Sequence, residues 1–228
     1  MVDTISVAPI RVPYGKSVHG EEEIAAVVDV LRGSTQMGGR VREFEARVAG
    51  LFAKSHGVMV NSGSSANYLA VQLLALPQGA EVVTPALTFA TTVAPIVKNG
   101  LTPSFVDVEP DTFNIDVNQV EAAITSKTKA IMAPSLIGNL PDWDRLAELA
   151  RKHGLYLVED SADTLGATLR GDSTGARSDI STTSFYGCHI LNCAGNGCMR
   201  CVNRDDWREE ATLLRSGMSA VDLGAAPG

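Results

Sequence analysis

Apolar positions recur at helical spacing along residues 21–32, where Ile24, Val27, Val28 and Leu31 share a face behind an acidic first turn, and this pattern predicts an amphipathic helix closed by Gly33. The stripe Phe44, Val48 and Phe52 predicts a second helix over 41–52. Beyond it the periodicity alternates. Short β-branched runs at 57–60, 80–83, 104–108, 130–133 and 155–158 are separated by helical patterns that include 66–76, 117–124 and 141–153. Strands alternating with helices of this length predict crossover units and a mostly parallel sheet, hence an α/β fold. Several of the runs are apolar throughout, which predicts strands buried on both faces. Residues 180–185 and 197–202 read as two further strands close enough for a hairpin, 205–216 as a last helix, and 220–228 as a small, polar end without an element.

Composition narrows the class. With 228 residues, 45% hydrophobic and 20% charged, the chain has the material for a full core, and a single domain is the simplest count. Nineteen Lys and Arg against 26 Asp and Glu give a net charge of -7 with no basic cluster, which argues against nucleic acid as a partner. No apolar stretch approaches the roughly 20 residues of a membrane span, so no membrane partner is expected. Residues 1–11 lack the basic start, apolar middle and small-residue cleavage site of a secretion signal, so a cytoplasmic location is expected.

Ligands in parallel α/β sheets bind beyond the carboxyl ends of the strands, so the residues just after each apolar run carry the candidate chemistry. The segment Asn61-Ser62-Gly63-Ser64-Ser65-Ala66-Asn67 leads from a strand into a helix; it could cradle a phosphate, and taken alone it reads slightly more as a plain N-cap. Glu159-Asp160-Ser161-Ala162-Asp163 puts carboxylates at another strand end, able to face a protonated ring nitrogen, a metal or only solvent. Ser184-Phe185-Tyr186-Gly187-Cys188-His189 is the third such place.

Taken in order with Thr84-Pro85-Ala86-Leu87-Thr88-Phe89, these motifs resemble the DegT/DnrJ/StrS family of sugar aminotransferases, vitamin B6 enzymes of the aspartate aminotransferase fold. The resemblance runs from about Tyr14 to Ser216. It implies a three-layer large domain with a mostly parallel sheet across residues 1–228, the C-terminal small domain of the family being missing from the chain. It also implies that Gly63, Ser64 and Ser184 hold the coenzyme phosphate and that Phe89 stacks on the pyridine ring. Asp160 would keep the ring nitrogen protonated, and Asp163 would bond the ring hydroxyl. Family members are homodimers, and the same is expected here.

The typical member has a lysine five residues after the serine matched by Ser184, and that lysine tethers the coenzyme aldehyde. This chain has His189 there, and no lysine follows Lys152. The exchange is similar to that of the 3-dehydratase branch, which removes the C3 hydroxyl of nucleotide-linked 4-keto-6-deoxyhexoses. Ser184-Phe185-Tyr186 with two residues before His189, and Ser135-Leu136-Ile137-Gly138-Asn139, resemble that branch too. The resemblance implies pyridoxamine 5'-phosphate, interconverting with pyridoxal 5'-phosphate, as cofactor, a nucleotide sugar as substrate and glutamate as amine donor. His189 is then the catalytic base, moving a proton while the C3 hydroxyl leaves. An aminotransferase homologue and a non-catalytic protein that keeps the fold are the other readings.

Cys188, Cys193, Cys198 and Cys201 are numerous enough for an iron-sulfur cluster, but their arrangement differs from that of cluster-bearing dehydratases, and thiols packed in a core are expected, with no metal. The segment 194–198 stands where the family usually shows Gly-Glu-Gly-Gly.

Overall fold

A computed structural model describes residues 10–217 apart from 14, 17, 34, 36, 37 and 194–196; the small, polar end expected at 220–228, the first of the residues read for a secretion signal and most of the altered loop at 194–198 lie outside the described residues. Two helices open the fold, α1 (Glu21–Arg32) and α2 (Gly39–Leu51). There follow β1 (His56–Val60), α3 (Gly63–Leu73), β2 (Glu81–Pro85), α4 (Ala90–Lys98), β3 (Thr102–Val106), α5 (Val117–Ala123), β4 (Thr128–Pro134), α6 (Trp143–His153) and β5 (Tyr156–Asp160). A two-stranded ribbon, β6 (Thr168–Leu169) with β7 (Asp172–Ser173), precedes β8 (Ile180–Ser184), β9 (Cys198–Val202) and α7 (Asp205–Gly217).

Seven strands form one sheet in the order β1-β9-β8-β5-β4-β2-β3. The pairs among β8, β5, β4, β2 and β3 are parallel, and β9 runs antiparallel to both β8 and β1. The α/β class, the mostly parallel sheet and the terminal hairpin therefore match the sequence pattern. The uninterrupted apolar strands are the central ones, as burial on two faces requires: Val158 packs with α3, α4 and α7 residues such as Ala70, Ile96 and Trp207, while Leu157 packs with Trp143 and Leu146 of α6 and Val120 of α5. Helix α2 covers the second face further along, its Val48 and the adjoining Phe52 meeting Phe185, Met199 and Cys201. Three layers result.

Local chemistry sets the helix ends. Ser62 caps α3, Asp116 caps α5 and Asp142 caps α6, each accepting a backbone N–H two or three residues on, and Gly154 closes α6 in the left-handed conformation at φ 64°. Two expectations shift. Helix α3 begins at Gly63 rather than 66, because the cap is Ser62, and β3 lies at 102–106 rather than 104–108, Val108 instead making an isolated bridge to Ile115. Helix α4 has no clear sequence signal, since threonines and Pro95 depress its helix propensity. The apolar face of α1 is present as the pattern predicts, yet Ile24, Val27 and Leu31 are 50%, 48% and 66% exposed.

Candidate coenzyme site

The carboxyl ends of β1, β2, β5 and β8 lie on one edge of the sheet, and the residues following them gather there. At the start of α3, Ser65 N–H goes to Ser62 Oγ and Ala66 N–H to Ser62 O, while Gly63 and Ser64 contribute N–H groups that the helix itself has no carbonyl to accept. Ser184, the last residue of β8, faces this turn: a Cβ on Gly63 would sit 3.5 Å from Ser184 Oγ. Glycine thus leaves a small space between a helix start and a hydroxyl, of a kind that an anionic oxygen fills.

Asp160 ends β5 on the side of α3 and α4 and is 6% exposed. Its Oδ2 accepts hydrogen bonds from Asn67 Nδ2 at 2.7 Å and Thr92 Oγ1 at 2.9 Å, and its Oδ1 accepts from Ala162 N at 3.3 Å. Burial pushes the carboxyl above the ordinary carboxylate range and the Asp163 charge adds to this, while the three donors pull the other way. Such a carboxylate gains from a cationic N–H placed against it. Phe89, at the N-cap of α4, starts the turn that delivers Thr92 to Asp160, and its ring is 70% exposed at the rim.

Asp163 lies on the loop after β5. Its Oδ2 accepts from the backbone N–H of Ile137 at 3.0 Å, and its Oδ1 lies 3.7 Å from His189 Nε2. Ile137 stands at φ 56°, so the carboxylate holds a left-handed turn as well as facing the imidazole. His189 is mostly buried, its ring 5.9 Å from that of Tyr186 in an edge-on arrangement, and its Nδ1 is buried with no hydrogen-bond partner among the described residues.

The seven residues expected at the site thus fall into three groups at one sheet edge: Gly63, Ser64 and Ser184; Asp160, with Phe89 at the start of the helix that reaches it; and Asp163 with His189. A pyridine ring with a phosphate tail fits this donor set, the phosphate at the helix start and the ring nitrogen at Asp160. Sequence reasoning quoted Asn67 and Ile137 within motifs but gave them no role, and it did not reach Thr92; Asn67, a polar residue on the buried face of an apolar helix, carried a signal that could have singled it out. Among the described residues no three or more His, Cys, Asp or Glu side chains are grouped to hold a metal. The four thiols are free, with Cys198 and Cys201 in separate core clusters. Burial pushes the Cys201 thiol up to about 12 and raises Cys198 and Cys193 as well, so these groups stay protonated.

Comparison with known proteins fits this architecture. The chain belongs to the DegT/DnrJ/EryC1/StrS aminotransferase family, which it matches over residues 17–223. It is 41% identical over 199 residues to a dTDP-4-dehydro-2,6-dideoxy-D-glucose 3-dehydratase of Saccharopolyspora spinosa, covering 84% of this chain and 43% of that protein. A GDP-perosamine synthase of Caulobacter vibrioides is 38% identical over 181 residues, covering 79% of this chain and 48% of its own length. Among solved structures, the E. coli GDP-4-keto-6-deoxy-D-mannose-3-dehydratase with bound hydrated PLP superposes with a TM-score of 0.86 at 28% identity, over 94% of this chain and 57% of that one. The chain spans about half the length of the curated relatives it matches.

Proposed function

We propose that residues 1–228 form the coenzyme-binding large domain of a pyridoxamine/pyridoxal phosphate-dependent 3-dehydratase acting on a nucleotide-linked 4-keto-6-deoxyhexose. The observation that carries this reading is His189, in place of a tethering lysine, held beside Asp163 at the sheet edge that also bears Asp160, Gly63 and Ser184. When bound, pyridoxamine phosphate supplies a primary amine for the C4 ketone and a ring that takes up electrons.

The chain's own residues divide the remaining work. Gly63 and Ser64 N–H groups and the Ser184 hydroxyl bind the phosphate, and the Phe89 ring covers the pyridine face. Asp160 keeps a proton on the ring nitrogen. His189 moves a proton near the reacting carbon, and Asp163, whose Oδ1 lies 3.7 Å from the imidazole Nε2, helps to orient the ring.

An apolar rim of Leu87, Phe89, Ile137, Tyr186 and Ile190, each 48% exposed or more, surrounds the site and supports a homodimer in which the partner covers it. Free thiols accord with a cytoplasmic enzyme, and among the described residues no helix is long and apolar enough to cross a membrane. Incubation with a nucleotide-linked 4-keto-6-deoxyhexose and the coenzyme, with and without glutamate to regenerate the amine, tests the proposal. Loss of the C3 oxygen supports it, whereas amination at C4, or no product, contradicts it.

A further inference from the structure

Asn67 lies on the buried face of α3 between Ala66 and Leu69, where a polar side chain needs every hydrogen bond satisfied. Its Nδ2 donates to Asp160 Oδ2 at 2.7 Å and to the Thr91 carbonyl at 3.2 Å, and its Oδ1 accepts from Thr182 Oγ1 at 2.6 Å. The Thr91 carbonyl is available because the residue four positions on is Pro95, which has no N–H to give it. A carbonyl has no hydrogen to donate, so this contact alone decides which end of the amide is nitrogen. The nitrogen end is thereby turned toward Asp160. Thr92 Oγ1 accepts from Thr88 Oγ1 at 3.0 Å and passes its own hydrogen to the same Asp160 Oδ2.

Both contacts to Oδ2 are therefore donors, and that oxygen has no partner to which it can give a proton. Oδ1, with only the 3.3 Å contact from Ala162 N, keeps acceptor capacity. We propose that Asn67, oriented from behind by Thr91 and Thr182, is a positioning residue that holds Asp160 as an acceptor-only carboxylate and presents its Oδ1 to the ring nitrogen of the coenzyme. The proposal rests on the coenzyme reading above.

The titratable groups around Asp160 are Asp163, on the loop after β5, and Cys198 on β9, with Arg200 opposite Thr182 in the β8–β9 register. From α3 and α4 only neutral groups face it. Asn67→Leu keeps the volume and removes the donor; Thr182→Val removes the support for the amide without touching Asp160, and serves if the first variant does not fold.

Two readouts are needed. In the coenzyme-free chain, the thermal midpoint of each variant is compared with wild type at about pH 4 and about pH 7, alone and in an Asp160→Asn background. In the loaded chain, the coenzyme absorbance is titrated with pH and its affinity measured. The proposal expects a larger loss at the higher pH that disappears with Asp160→Asn. It also expects a downward shift in the pH at which the bound ring loses its proton, and about tenfold weaker binding. Equal losses at both pH values that persist with Asp160→Asn, together with an unmoved absorbance titration, overturn it and leave Asn67 a packing residue. Failure of the wild-type chain to bind the coenzyme overturns the coenzyme reading, and the proposal with it. The coenzyme-free arm tells that failure from a missing Asn67–Asp160 coupling.

Discussion

Replacing Asp160 by Asn separates what the site needs from what the fold prefers. In the coenzyme-free chain Asp160 is a carboxylate buried at 6% exposure, with a pKa raised chiefly by that burial. A raised folded pKa means a contribution to stability that is complete below the unfolded value near 3.8 and is lost as pH climbs through the folded value. Asparagine has no such charge. Its Oδ1 still accepts from Asn67 Nδ2 and Thr92 Oγ1, while its Nδ2 meets the Ala162 N–H, so one long hydrogen bond worth about 1 kcal/mol is lost. Removing a buried charge returns several kcal/mol of desolvation less the two strong contacts it made, for a net gain of about 1–2 kcal/mol at neutral pH. In a domain of this size that raises the midpoint by about 3–6 °C. Differential scanning fluorimetry of both coenzyme-free chains across pH measures it, with coenzyme titration alongside. The expected result is a stabilised variant with its advantage vanishing toward about pH 4 and coenzyme binding weakened at least tenfold. A variant destabilised equally at all pH values refutes the reasoning.

Other perturbations follow from the same geometry. Gly63→Val fills the space facing Ser184 and abolishes coenzyme binding, while Ser184→Ala weakens it by about tenfold; equilibrium dialysis with pyridoxal phosphate checks both. His189→Lys places a primary amine beside Asp163, and borohydride then fixes pyridoxal phosphate covalently at position 189, which intact-protein mass spectrometry detects; wild type shows no such adduct there. Lys54, 6% exposed, donates to the Ser178 carbonyl, and burial pushes its pKa down against the pull of Glu159 and Asp179. Lys54→Met removes the charge-assisted hydrogen bond to the buried Ser178 carbonyl and costs about 2 kcal/mol at neutral pH by urea unfolding.

The sheet was legible in the chain because strands buried on both faces write continuous apolar runs, and β2, β4 and β5 do so. Helix α6 was legible as the helical pattern over 141–153 between two apolar runs, and its Asp142 cap and Gly154 mark its ends in the fold. Helix α4 was not, because its stability comes from Ile96 packing in the core rather than from propensity, and the ribbon β6–β7 is too short to write a period. At the site, residues one step beyond a strand end were readable as positions. Their mutual contacts were not, since Asn67 is 93 residues from Asp160 in sequence and Ile137 is 26 from Asp163. Asp163 shows the difference best: the motif marks it as a site residue, and only the fold shows that its oxygens serve a backbone turn and an imidazole.

The account turns on the imidazole at position 189, and a side-by-side single-turnover assay of wild type and His189→Asn addresses it. Each is loaded with pyridoxamine phosphate, matched for coenzyme occupancy, mixed with a nucleotide-linked 4-keto-6-deoxyhexose, and the sugar products are resolved by mass spectrometry and NMR. Wild type is expected to yield a sugar lacking the C3 oxygen, and His189→Asn none despite equal occupancy. An amino group at C4, or the same deoxygenated sugar from both proteins, would contradict the account.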